Sequence, residues 1–251
     1  MDWSSVTHVT KVDPAEELPD LGPLGLTDLV IVGGSDGVTR ENSLAAIKRI
    51  KSAYPETPVF QEPYSGGHVS KATIEAADYL SIPAVFNGSH DNFLTKHLEF
   101  FTELGNRPDE LPGAGLPVVG DLISSRGRSA VTDLSERILG EGYIIQNLDS
   151  KAAAESGVER RYTTEEIAGA ALATEAFYGF PVFYVEYSGT YGGPEDVRAA
   201  ATYLDETVLL YGGGIRSHEQ TEEILAAGAD AVVVGDCFHE DPERYRRTVP
   251  Q

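Results

Sequence analysis

Eight short apolar, β-branched runs recur along this chain, and that recurrence restricts the fold more than any single motif does. They occupy residues 6–13, 28–34, 57–63, 78–88, 142–147, 180–187, 207–214 and 230–236. Between most of them lie segments of helical periodicity, at 39–54, 163–179, 193–205 and 217–229. Several of these open on Ser or Thr with acidic residues, and two close on glycine, as helix caps and the helix dipole prefer. Strand alternating with helix eight times predicts a single α/β domain over 1–251, a TIM-like (β/α)8 barrel with ligand chemistry at the C-terminal ends of its strands. A doubly wound open sheet is the second arrangement the pattern allows. The third and fourth runs are separated by only about fifteen residues, glycine-rich at the start, so the third outer helix is expected to be missing or reduced. Residues 104–121, with three prolines and four glycines, read as a surface excursion within the domain.

Charge narrows the choice of partner. Forty acidic residues against nineteen basic ones give a net charge of −21, leaving no basic footprint for nucleic acid. Only six of the basic residues are lysine, a balance that resembles proteins of a salt-saturated, halophilic cytoplasm, where screening tames carboxylate repulsion. An ordinary acidic cytosolic protein is the plainer alternative. Cys237 is the single cysteine, so no intrachain disulfide can form. The first residues lack a basic stretch followed by an apolar one, and no run approaches a membrane span, so a cytoplasmic protein is expected. The six histidines show no metal-ligand spacing.

Three consecutive runs end in small residues: "FYVEYSGTYGG" (183–193), "LLYGGGIRS" (209–217) and "AVVVGDCF" (231–238). Such glycines let backbone N–H groups approach an anion, and in barrels the loops after strands seven and eight are the usual phosphate site. Tight strand-to-helix turns would use the same glycines. By alternation Val182, Tyr184 and Glu186 share one strand face, and Phe183, Val185 and Tyr187 share the other. Near the N-terminus, Thr7, Val9, Lys11 and Asp13 share a face by the same rule. Lys11 is suited to an anionic or hydroxylic substrate, and Asp13 to Mg²⁺, with the Ser35 hydroxyl at the next strand end; a solvent-exposed Lys11–Asp13 pair is the alternative.

Taken together, "HVTKVDP", "VGGS", "GYIIQNLDSKAA", "YVEYSGTYG", "YGGGIRS" and "VVVGD" resemble the geranylgeranylglyceryl phosphate synthases, which make the first ether bond of archaeal membrane lipids. The resemblance runs from residue 3 to 247 and implies a TIM-like barrel lacking its third helix. It implies that sn-glycerol 1-phosphate is held by Lys11, by Tyr184 and Glu186 on its hydroxyls, and by the stretch Val185, Tyr187, Ser188 and Gly189 together with Gly212, Gly213, Gly214, Gly235 and Asp236. It implies Mg²⁺ on the prenyl diphosphate, held by Asp13 and Ser35. Catalysis then falls to Lys11, Tyr184 and Glu186, with Glu186 either a general base or an orienting group. The family usually has asparagine where this chain has Asp236, a departure that is harmless if the Asp236 side chain turns away from the phosphate. Phe100, then Phe93, in the aromatic segment 86–101 are candidates for limiting prenyl chain length. A homo-oligomer and transient membrane contact during product release complete the picture. Alternatives are a transferase using a longer donor such as heptaprenyl diphosphate, a phosphosugar isomerase, and a non-catalytic phosphate- or flavin-binding barrel.

Overall fold

The computed structural model describes residues 1–34, 36–105 and 132–250, the side chains of residues 93 and 94 aside. All eight expected strands are present, most of them trimmed at the ends: β1 (His8–Val12), β2 (Leu29–Gly33), β3 (Val59–Glu62), β4 (Tyr79–Val85), β5 (Ile138–Ile145), β6 (Val182–Glu186), β7 (Val208–Gly212) and β8 (Ala231–Val234). They pair in sequence order, all parallel, and β8 closes onto β1. The open-sheet alternative is thereby excluded.

β5 starts four residues before the expected run. The residues added, "ILGE", hold a glycine and a glutamate ahead of Gly142, yet each glycine marks a close approach. A Cβ at Gly140 would run into the Phe180 ring, and one at Gly142 into the Thr174 hydroxyl.

The outer layer comprises α1 (Arg40–Ala53), α2 (Lys71–Ala76), α3 (Lys96–Gly105), α4 (Lys151–Ser156), α5 (Thr164–Ala173), α6 (Pro194–Ala201), α7 (His218–Ala226), α8 (Asp236–Glu240) and α9 (Pro242–Arg246). Thr39 and Thr163 each cap a helix through a reciprocal capping box, satisfying N–H groups that the first turn leaves open. The reduced third helix is α2, of 6 residues against 14 in α1. The expected excursion at 104–121 lies almost wholly outside the described residues. No helix among those described is long and apolar enough to cross a membrane.

Alternation along the strands builds two cores. Inward residues such as Val9, Ile31, Phe60, Tyr184 and Val233 fill the barrel. Outward residues such as Val30, Phe183, Val185 and Tyr211 pack under the helices, each large buried side chain contributing about 1.5–3 kcal/mol. Trp3, ahead of β1, packs edge-on against Phe60 and helps to close the N-terminal end. The C-terminal α9 fastens to the outer face of β1, where Tyr245 and Thr10 share a hydroxyl hydrogen bond of 2.5 Å.

The barrel wall is weakest between β3 and β4, which pair only through Phe60–Tyr79 and Gln61–Leu80. Leu80 and Phe86 donate their N–H groups toward β5, so the nitrogen of Pro83 falls on the β3 side, where pairing has already ended. A proline is tolerated in this strand because no ladder bond is lost. The seam lies beside the short α2 and opens one wall of the site.

Candidate active site

A cavity of about 440 Å³ opens at the C-terminal ends of the strands. Lys11 of β1, Glu62 of β3, Tyr143 of β5, and Tyr184 with Glu186 of β6 reach into it, each at an inward position of its strand.

β6 carries the polar face. Tyr143 donates its hydroxyl to Oε2 of Glu186 at 2.9 Å, and the Ser188 N–H donates to Oε1 at 2.5 Å. Both carboxylate oxygens are thus oriented from the protein. The Tyr143 and Tyr184 rings lie 4.6 Å apart between centroids. Burial, and after it the Glu186 carboxylate, holds both phenols well above their ordinary pKa, so they remain donors. Ser188 has a φ of 27°, a left-handed conformation a non-glycine residue rarely adopts; its carbonyl accepts from Asn147 Nδ2 at 2.9 Å. Val185 and Tyr187, expected on the substrate, point the other way. Val185 is fully buried in the outer core, and Tyr187 donates its hydroxyl to Asp196 Oδ2 at 2.6 Å.

Lys11 pairs with Glu62 at 2.7 Å while its side chain stays 23% accessible from the cavity. Burial alone would lower its pKa; Glu62, Glu186 and Glu141 outweigh that and hold it above the usual lysine range. The ammonium is therefore permanently charged. Asp13, the other polar residue expected on this face, lies just past the strand end and lines the cavity mouth.

The glycines form the opposite wall. A Cβ at Gly212 would collide with the Tyr184 hydroxyl, so glycine there is what lets that phenol reach the strand end. Gly189 and Gly214 have φ of 73° and 54°, which favours glycine on conformational grounds. From behind, the Tyr211 hydroxyl donates to the Gly192 carbonyl at 2.7 Å and accepts the Gly192 N–H at 3.2 Å, tying the loop after β6 to β7. Gly213, Gly235 and Asp236 line the same side. The Asp236 carboxyl is not turned away: its Oδ2 lies 3.4 Å from where a Gly189 Cβ would be. Burial, then Glu240, raises its pKa, which brings it nearer to the neutral acid that an asparagine would mimic.

The third wall is apolar, formed by Pro63, Tyr64, Pro83, Val85 and Ile145 beside the weak seam. Tyr64 donates its hydroxyl to the Glu155 carbonyl at 2.8 Å, with Lys96 Nζ 2.9 Å from its ring centroid. Phe100 is not part of this wall. It is buried one layer further out among Val69, Ile74, Leu80 and Leu104. Phe93 lies in the helical turn Asp91–Thr95, with its side chain outside the described atoms, and Ser35 lies outside the described residues.

Several residues of the site were not singled out from the sequence. Glu62 and Tyr143 occupy inward positions of strands whose alternation could have exposed them. Arg216, directly after "GGGI", lines the cavity beside the glycine wall, 3.9 Å from Glu240. Among the described residues no cluster of three or more His, Cys, Asp or Glu side chains could hold a metal ion by itself. Asp13 offers one carboxylate: Oδ1 accepts the Ala15 N–H at 2.8 Å, while Gly34, having no side chain, leaves room for the carboxyl group. That fits Mg²⁺ bound mainly through water and substrate phosphate oxygens.

Comparison with known proteins adds to this geometry. The PcrB family signature matches residues 1–251. The heptaprenylglyceryl phosphate synthase of Lysinibacillus sphaericus (strain C3-41) is 33% identical over 257 residues, 99% of this chain and 97% of the relative. That of Listeria monocytogenes serotype 4a (strain HCC23) is 35% identical over 248 residues, 96% and 95% of the two chains. The fold is similar to that of (S)-3-O-geranylgeranylglyceryl phosphate synthase from Thermoplasma acidophilum, solved with sn-glycerol-1-phosphate (TM-score 0.71, 18% identity, 98% of this chain and 91% of that one). The Thermoplasma volcanium protein GGGPS gives a TM-score of 0.69 at 17% identity, over 97% and 92% of the chains.

Proposed function

The chain belongs to the PcrB family, and from that premise we propose that it transfers a prenyl group from a prenyl diphosphate to the 3-hydroxyl of sn-glycerol 1-phosphate. The observation that carries this reading is the meeting of Tyr184 and Glu186 with a glycine wall in one cavity. A polyol needs hydroxyl partners, and its phosphate needs backbone N–H groups within a few ångströms of them.

In the proposed reaction the allylic C–O bond to diphosphate breaks, the glycerol oxygen bonds to the prenyl carbon, and its proton passes to Glu186. Asp13, together with Ser35 as the family resemblance implies, would hold Mg²⁺, which would supply charge to stabilise the departing diphosphate. Lys11 and Tyr184 hold the glycerol phosphate so that its hydroxyl is already in attacking position. Ser188, Gly189, Gly212, Gly213, Gly214, Gly235 and the Asp236 backbone surround the phosphate. Arg216 adds a cation that offsets the nearby Asp236 carboxyl.

Geranylgeranyl diphosphate is the donor that the sequence motifs suggest. Heptaprenyl diphosphate is a second reading, favoured by the names of the bacterial relatives at 33% and 35% identity. Either tail would start along the apolar wall of Pro63, Pro83 and Val85. Prenyl transfer with each donor, with and without Mg²⁺, to sn-glycerol 1-phosphate or its mirror image tests the reading. Ether product from the 1-phosphate alone, lost on metal chelation, is expected; no product with any donor overturns it. Sedimentation of the purified protein would read the homo-oligomer that the family resemblance implies.

A further inference from the structure

Along the strands, three carboxyl groups face the barrel interior, those of Glu62, Glu141 and Glu186, against the single ammonium of Lys11. Glu141 does not line the cavity. It is 1% exposed, one layer below Tyr143 on β5, and Oε1 is hydrogen-bonded to the Ser81 hydroxyl on β4. Glu62, on β3, gives Oε2 to Lys11. Each residue is left with one buried oxygen, Oε1 of Glu62 and Oε2 of Glu141, that has no hydrogen-bond partner.

Two buried, unpartnered carboxylate oxygens in one low-dielectric interior are costly, and more so when the group is charged. One cation cannot neutralise both groups. We propose that Glu62 and Glu141 hold a single proton between them, the Oε2 hydroxyl of Glu141 donating to Oε1 of Glu62. Both orphaned oxygens are then satisfied by one hydrogen, and the pair carries one negative charge, balanced by Lys11.

The environment agrees from each side. Burial, and then the Glu62 charge, raises the pKa of Glu141; the Ser81 hydrogen bond and Lys11 offset this only in part. The other titratable groups facing this layer are Glu186 and the phenols of Tyr79, Tyr143 and Tyr184. Burial and neighbouring carboxylates hold Tyr143 and Tyr184 protonated, so neither relieves the excess negative charge. With Lys11, Glu62 and Glu141 summing to zero, the charge of Glu186 is the one left over among the described strand residues that face the barrel interior. It is therefore the group best placed to receive a proton from a hydroxyl, a consequence that rests on the proposed transfer reaction; the shared proton does not. Glu141 is in this sense a positioning residue, acting through Glu62 and Lys11.

Infrared spectra of the intact protein with ¹³C-labelled glutamate test the pair directly, because lone glutamates are ionised well below neutral pH. The expected result is a protonated-carboxyl band that persists between pH 6 and 8 in the folded wild type and disappears in Glu141→Gln. Absence of the band from the wild type, or its survival in the folded variant, would overturn the pair. Kinetics give a second readout. Glu141→Ala should raise the KM for glycerol phosphate about tenfold, and Glu141→Gln, whose amide can donate to Glu62, should recover it to within about threefold. Equal losses in the two folded variants would mean that an ionised Glu141 is required, and the proposal would fail. A wild type that shows the band yet transfers no prenyl group would sink the reaction and leave the pair standing.

Discussion

The Tyr143 hydroxyl on β5 holds the Glu186 carboxylate on β6 across 2.9 Å, so the proposed proton acceptor is oriented by the neighbouring strand. If Glu186 takes the proton, Glu186→Gln should lower kcat by about 10²-fold or more, with binding of glycerol phosphate little changed. Steady-state kinetics with the acceptor varied would separate the roles. A rise in KM at unchanged kcat would reduce Glu186 to an orienting group.

Gly212 and Tyr184 meet so closely that any side chain at 212 must displace the phenol. Gly212→Ala should weaken glycerol phosphate binding by tenfold or more, about 1.4 kcal/mol for each factor of ten, and lower the melting temperature. Calorimetric titration beside thermal unfolding would check this; unchanged affinity would separate Tyr184 from the acceptor site.

Behind the cavity, Asp196 accepts from Tyr187 at 2.6 Å and from Gln146 Nε2 at 2.8 Å, all three being buried. Asp196→Ala strands the Tyr187 hydroxyl and leaves Gln146 Nε2 with only the Tyr162 carbonyl, and should cost about 3 kcal/mol of unfolding free energy. Urea denaturation would measure it. A loss under about 1 kcal/mol would show that the site relaxes to admit water.

His8 is buried under α9 with Nε2 on the Thr248 hydroxyl and Nδ1 unpartnered. Burial, only partly opposed by Asp28, lowers its pKa from 6.5 to about 4. The folded chain thus binds fewer protons here than the unfolded one, so the stabilisation is complete above about pH 6.5 and is lost as pH falls toward 4. At pH 5 the loss is about 2 kcal/mol relative to neutral pH. Urea unfolding at pH 7 and pH 5 should show a smaller acid decrement in His8→Asn than in the wild type; equal decrements would exonerate His8.

The net charge of −21 makes self-repulsion a stability term. Raising KCl from the millimolar to the molar range should raise the unfolding midpoint, because screening shortens the reach of each carboxylate to about 3 Å at 1 M. A midpoint indifferent to KCl would set aside the adaptation to salt suggested by composition.

The barrel was legible in the sequence because period-2 strands between helical segments leave few other closures, and the glycine-poor helices stand out against glycine-rich strand ends. The reduced α2 was equally visible as a shortage of residues. The start of β5 was missed because Gly140 makes room for Phe180, a neighbour that no local pattern reveals. Alternation had already separated Tyr184 and Glu186 from Val185 and Tyr187, so the latter two came to the substrate only through the contiguous motif. Phe100 was placed by its aromatic character, but the turn Asp91–Thr95 and α3 carry it into a satellite core. Glu62 and Glu141 escaped notice because a glutamate within a strand reads as solvent-facing until the barrel closes around it.

The Tyr211 phenol that joins Gly192 to the glycine wall belongs to the outer core, not to the cavity. Under the proposed reading, the concavity offered to the phosphate is consequently held from the helix side of the barrel, which leaves its loops less order to gain on binding. Affinity for that phosphate would then be partly inherited from helix packing. A change under α6 or α7 that loosens Tyr211 would slacken the proposed phosphate site from a distance.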